Sequence, residues 1–149
     1  MLSSCSSDST QNDPFQGEAF SSKKEAINDF ATKENIKGHI IKAQTNKNEQ
    51  ILIAEYNRDE YTMGELLEKD GEYKAVIITG VQSLRGVNGM GWEFASTANN
   101  EYSIQFHKEE RASSVHVTER DFYFELGNGH TLSTQPSITS DAIVSTETY

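Results

Sequence analysis

Two short apolar runs, Ile51-Leu52-Ile53-Ala54 and Ala75-Val76-Ile77-Ile78, limit what this chain can fold into. Each sits in a strand-like segment. A strand with one face in water alternates apolar and polar residues, because successive side chains point to opposite faces. These runs do not alternate, so both faces of their sheet are expected to be covered. One cover is visible just upstream. Ser22-Lys23-Lys24-Glu25 has the capping-box pattern, and Ala26, Ile27, Phe30 and Ala31 follow at helical spacing. This predicts a helix from Ser22 to near Asn35, with Gly38 as its stop.

The second cover must come from the rest of the chain. Residues 39–44, 50–56, 60–68 and 72–80 read as four strands, with Thr45-Asn46-Lys47-Asn48 and Asp70-Gly71 as turns. Beyond residue 91 the pattern changes to clean alternation. Tyr102, Ile104 and Phe106 form one inward set, Val115 and Val117 another, and Phe122, Phe124 and Leu126 a third. Such segments read as antiparallel strands, each with one wet face. Trp92-Glu93-Phe94 opens this group, and residues 142–148 are a weak last strand, because Ser and Thr fill so many of their positions. The expected fold is α+β. One N-terminal helix packs on an antiparallel sheet, and the C-terminal half supplies a second antiparallel β layer. Residues 22–80 form the helix-plus-meander half of a single 22–149 domain, and residues 92–149 form the β half.

Residues 1–21 have a different character. Ser, Thr, Asn, Gln, Asp and Gly dominate, and after Leu2 the large apolar residues are Phe15 and Phe20. Such a segment buries too little surface to offset its chain entropy, so it reads as a tether. Near its start stands Leu2-Ser3-Ser4-Cys5, which holds the chain's one cysteine. One cysteine excludes an internal disulfide. An aliphatic residue three positions before a cysteine, with small residues directly before it, resembles the lipobox of small Gram-positive-type bacterial lipoproteins. The resemblance covers these residues and the polar spacer after them, and carries no fold family. It implies diacylglyceryl transfer to the Cys5 thiol, cleavage just before Cys5, and a signal peptide truncated ahead of Met1. Two acyl chains anchor stably where one is marginal. The implied location is the cell membrane, on its extracytoplasmic face.

Charge narrows the partners. With 23 acids against 13 bases the net charge is −10. A field of that sign repels phosphate backbones, so no nucleic acid partner is expected. It also repels anionic headgroups, so the folded part should not lie flat on a bilayer.

Catalytic signatures are weak. Gly86, Gly89 and Gly91 lie in GVNGMGW, which reverses the spacing of a dinucleotide loop and is not followed by the lysine of a P-loop. The bland reading is a tight turn. The functional one is a binding loop, with Arg85 as anion contact and Trp92 as an exposed anchor. His39, His107, His116 and His130 lack zinc spacing. A hairpin centred between Arg111 and Ala112 would set His107 opposite His116, where two imidazoles suit a transition metal. Solvated surface is the commoner state of such histidines, and no metal is expected. The carboxylates of residues 56–61 and 65–72 read as solvated charge. Tyr56, Tyr61, Tyr73 and Tyr123 are candidates for outer faces and a protein-binding patch.

The expected function is therefore a lipid-anchored extracytoplasmic interaction or binding protein, not an enzyme, with no cofactor. Its partners are the membrane, through a lipid on Cys5, and a protein, envelope polymer or small molecule. The alternative is an acidic inhibitor or immunity-type protein that binds a basic enzyme through charge complementarity. A third reading, a hydrolase, requires a pocket holding two carboxylates with raised pKa values.

Overall fold

The computed structural model describes residues 15, 17–135 and 137–149, so Cys5 and most of the tether lie outside the described residues. Helix α1 spans Lys23–Lys33. Ser22 caps it, its hydroxyl accepting from the Glu25 N–H at 3.2 Å. Glu25 accepts from the hydroxyls of Ser21 and Ser22 at 2.9 and 3.2 Å. The helix does not stop at Gly38. Asn35 takes the left-handed position (φ 57°), and the Ile36 N–H returns to the Ala31 carbonyl at 2.9 Å. This is the Schellman closure with asparagine in place of glycine. Gly38 answers a different need, because a β-carbon there would collide with the Glu55 carboxylate and lie 2.8 Å from Glu55 Cβ.

Strands β1 (Ile40–Thr45), β2 (Gln50–Asn57), β3 (Glu60–Lys69) and β4 (Glu72–Ser83) form an antiparallel meander. A second sheet holds β5 (Gly89–Ala95), β6 (Glu101–His107), β7 (Val115–His116) and β8 (Tyr123–Asn128) in the order β5-β6-β8-β7. The last strand, β9 (Ile143–Thr148), does not join that second sheet. It crosses back and pairs antiparallel with β1, making the first sheet five-stranded in the order β4-β3-β2-β1-β9.

The three layers are helix, sheet and sheet. In β2, Leu52 and Ala54 face the helix and pack with Ala26, Ile27 and Phe30. Ile51 and Ile53 face the second sheet and pack with its inward residues Ile104, Phe106, Phe124 and Leu126. The first apolar run is therefore covered on both faces. The second run is covered only in part, because β4 is an edge strand. Ala75 packs on the helix side and Ile78 on the inter-sheet side, but Ile77 is 45% exposed and Val81 47%. Register shifts against Tyr61–Gly64 break the regular pairing of β4, and such irregularities blunt an open edge against further pairing.

Close packing of α1 depends on Gly64 in β3. A β-carbon there would lie 2.8 Å from two ring carbons of Phe30 and from the Val76 carbonyl. Tyr61 is not on an outer face. It is buried and stacks on Phe106, with ring centroids 4.9 Å apart. The sequence made it a surface candidate because polar residues flank it.

Two polar joints lock the sheets at the two ends of β2. At one, Glu49 accepts from the Tyr102 hydroxyl (2.6 Å), the Ser96 hydroxyl (2.7 Å) and the Asn100 amide (2.9 Å). Nearby, Glu65 accepts from the Thr97 N–H at 2.9 Å and its hydroxyl at 3.0 Å. At the other, Arg120 from the β7–β8 turn grips Glu55 with Nε at 2.7 Å and Nη2 at 3.1 Å.

Candidate ligand-binding cleft

The outer face of the second sheet was expected to be wet. Instead, residues 129–135 and 137–141 lie across it as a strap. Ser103 on β6 donates to the Gly129 carbonyl at 2.7 Å and accepts from the Thr131 N–H at 3.1 Å. Gln105 accepts from the Ile138 N–H, and Glu93 on β5 from the Leu132 N–H. Leu132 fills the space above Gly91, 3.1 Å from where a β-carbon would stand. Ser103, His107 and Glu125 are thereby buried although they point away from the inter-sheet core.

Where the strap does not reach, the same face opens into a cleft of about 510 Å³. This is in the size range of small-ligand sites. Its lining includes Asn88, Gly89 and Gly91, then Gln105 and His107 of β6, and Arg111 beyond. Gly89 pairs with His107 and Gly91 with Gln105. The β5 side of the cleft floor is therefore bare backbone, and a β-carbon at Gly89 would stand 2.7 Å from the Phe106 carbonyl.

The wall of the cleft is organised by Glu125. Its Oε1 lies 3.0 Å from His107 Nε2 and 3.4 Å from Arg111 Nη1, and its Oε2 accepts from the Ser113 hydroxyl at 2.5 Å. His107 Nδ1 meets the Glu109 carbonyl at 2.6 Å. Each ring nitrogen thus has an oxygen partner within the protein, and neither is turned to the cleft. Ser113 gives its proton to Glu125 and accepts from the Ser140 N–H. Neither group is arranged as a base and nucleophile pair, because the carboxylate stands between them.

The residues singled out from sequence do not converge. Gly89 and Gly91 line the cleft. Arg85 is turned away, its Nε donating to the Arg58 carbonyl at 3.2 Å and its Nη2 lying 3.8 Å from Glu60. Gly86 sits in the turn before β5 with φ 74°. Trp92 is not an exposed anchor, because its ring stacks on Phe106 at 5.5 Å as part of the inter-sheet core. Two cations line the cleft, Arg111 and Lys108, together with Glu109, and the sequence hid all three inside the charged run Lys108-Glu109-Glu110-Arg111.

The hairpin that would set His107 opposite His116 is not formed. Strand β8 lies between β6 and β7, so His107 and His116 both register with Tyr123, one on each side. Two strand spacings, about 10 Å, separate them. His116 instead meets the Arg120 carbonyl at 2.6 Å. Among the described residues no three His, Cys, Asp or Glu side chains gather as a metal site.

One carboxylate, Glu65, is held above the usual range, first by burial and then by the charge of Glu49, with Thr97 opposing. It sits in the inter-sheet joint and lines neither the cleft nor the smaller cavity beside Asp141. The pocket with paired carboxylates that a hydrolase would need is thus not formed by these two residues. No known protein family, curated protein or solved structure matches the chain.

Proposed function

We propose that this chain is the folded domain of a lipid-anchored, extracytoplasmic binding protein of Gram-positive type, tethered through Cys5. The observation that carries the location is Leu2-Ser3-Ser4-Cys5 followed by a polar spacer. The spacer leads into the fold at Phe20, whose backbone exchanges hydrogen bonds with Tyr73 at 2.8 Å. The binding role draws its support from the cleft, a concave polar site on a face otherwise closed by the strap. Mass spectrometry of the native protein from its own cells is the test. A diacylated Cys5 as first residue is expected, with a Cys5→Ser variant released from the membrane fraction. An unmodified cysteine, or a Cys5→Ser protein that still sediments with membranes, removes the reading.

A second reading has its own support. The net charge of −10 and the exposed Ile77 and Val81 on an edge strand suit an inhibitor that covers a basic enzyme. Capture of one basic enzyme from the same cells, lost at high salt, distinguishes it from the first.

A further inference from the structure

The cleft contains a guanidinium that is held at one end and open along one edge. Arg111 Nη1 donates to Ser137 Oγ at 2.9 Å and lies 3.4 Å from Glu125 Oε1. Its backbone N–H is also committed, to Ser114 Oγ at 2.9 Å. Among the described residues Nε and Nη2 have no hydrogen-bond partner. These two groups form the edge that binds a carboxylate through two parallel hydrogen bonds. The side chain is 35% exposed, and Glu125 behind it is almost fully buried, fixed in turn by His107 and Ser113. An arginine held from behind loses little freedom when a ligand arrives.

We infer that the cleft takes a small ligand through a carboxylate paired on the Nε–Nη2 edge of Arg111, with the ligand's body lying on the glycine floor of β5. Gly89 presents bare backbone to that body, Leu132 of the strap bounds the floor over Gly91, and Asn88 flanks it with an amide. The other lining cation, Lys108, is drawn toward Asp121 at 3.7 Å and over the Phe122 ring, and it lacks the two-pronged edge of a guanidinium. A carboxylate is favoured over a phosphate. A dianion doubles its attraction to Arg111 and its repulsion alike, but Glu125 directly behind the arginine, Glu109 in the lining and a net charge of −10 outweigh that one cation, so the second charge of a phosphate is a net cost.

This ligand class rests on the cleft being a binding site and not on the tether, so the two are tested apart. The experiment titrates the isotope-labelled chain with hexanoate, hexanamide and inorganic phosphate, following the amides of Gly89 and Gly91 and the Arg111 Nε–H by NMR. Hexanoate should shift all three signals saturably, with a Kd on the order of 1 mM. Hexanamide should bind at least about tenfold more weakly, as should an Arg111→Lys variant, which keeps the charge and loses the fork. If Arg111→Lys fails to fold, the acid-against-amide comparison on the unaltered chain decides alone. No saturable shift, equal binding of the amide, or tighter binding of phosphate overturns the inference. None of those results touches the state of Cys5.

Discussion

The Glu55–Arg120 pair gives the sharpest test of how the two sheets are joined. The Glu55 side chain is only 4% exposed, and Arg120 is 21% exposed. The carboxylate accepts Nε at 2.7 Å, Nη2 at 3.1 Å and the Asp59 N–H at 3.3 Å. Its hydrogen bonds to the guanidinium hold Arg120 above its ordinary value. In an Arg120→Met variant, Glu55 keeps the Asp59 N–H and the neighbouring Tyr61 hydroxyl but has no countercharge against it. Removing one partner of a buried pair costs about 3–5 kcal/mol, most of it the penalty on the charge left behind. Because water reaches Arg120 from one side, the low end applies, about 3 kcal/mol. For a domain of this size that lowers the Tm by about 10 °C. Glu55→Met should cost less, since the freed arginine can turn to solvent. The double variant should be more stable than Arg120→Met alone, with a coupling of at least about 1.5 kcal/mol. Urea unfolding at fixed pH reads all four proteins through the fluorescence of Trp92, the chain's one tryptophan, which sits at the inter-sheet core. The reasoning fails if Arg120→Met costs under about 1 kcal/mol, or if the double variant is no better than that single one.

Two further outcomes follow from the packing and the charges. Gly64→Ala should destabilise by about 2 kcal/mol in thermal melts, because its methyl would meet the Phe30 ring and the Val76 carbonyl at 2.8 Å; Phe30→Leu in the same chain should recover part of the loss. Glu65→Gln should stabilise the protein at neutral pH. The native state holds the Glu65 proton to a higher pH than the unfolded chain, so stability falls as pH rises from the ordinary carboxylate range through the raised one. Glutamine keeps the acceptor for Thr97 and removes the charge. The gain should therefore vanish in acid below the ordinary carboxylate range, and a variant weaker than the parent at neutral pH would contradict the buried-charge account.

The layers were legible because burial leaves a period. Ile51-Leu52-Ile53-Ala54 called for cover on two faces and has it, and the inward set Tyr102, Ile104 and Phe106 points where alternation put it. Ala75-Val76-Ile77-Ile78 carries the same signature and ends up at an edge, since apolarity does not encode a strand's place in the sheet. The strap was invisible for a different reason. It is held by hydrogen bonds from its backbone to Ser103, Gln105 and Glu93, so the face beneath it remains polar and reads as wet. Polar residues that bind water and polar residues that bind a loop have the same period.

The cleft depends on a choice that local sequence disfavours. Strands adjacent in sequence usually pair, which favours β6 beside β7 and a histidine pair across a hairpin. But β7 has two residues to offer, Val115 and His116, whereas β8 meets β6 along Tyr102–His107. That longer pairing sets Ile104 against Leu126 and Phe106 against Phe124 in the core. The apolar gain on the inner face therefore decides the strand order, and the outer face follows from it. It brings Glu125 opposite Gln105, two positions from the His107–Tyr123 pair and on the same face, and so within reach of His107 and Arg111. Had β7 paired with β6, Arg111 would stand in a hairpin turn with no buried carboxylate behind it. The chemistry of the cleft is thus a by-product of aromatic packing on the opposite face, which explains why no motif around Arg111 announces it.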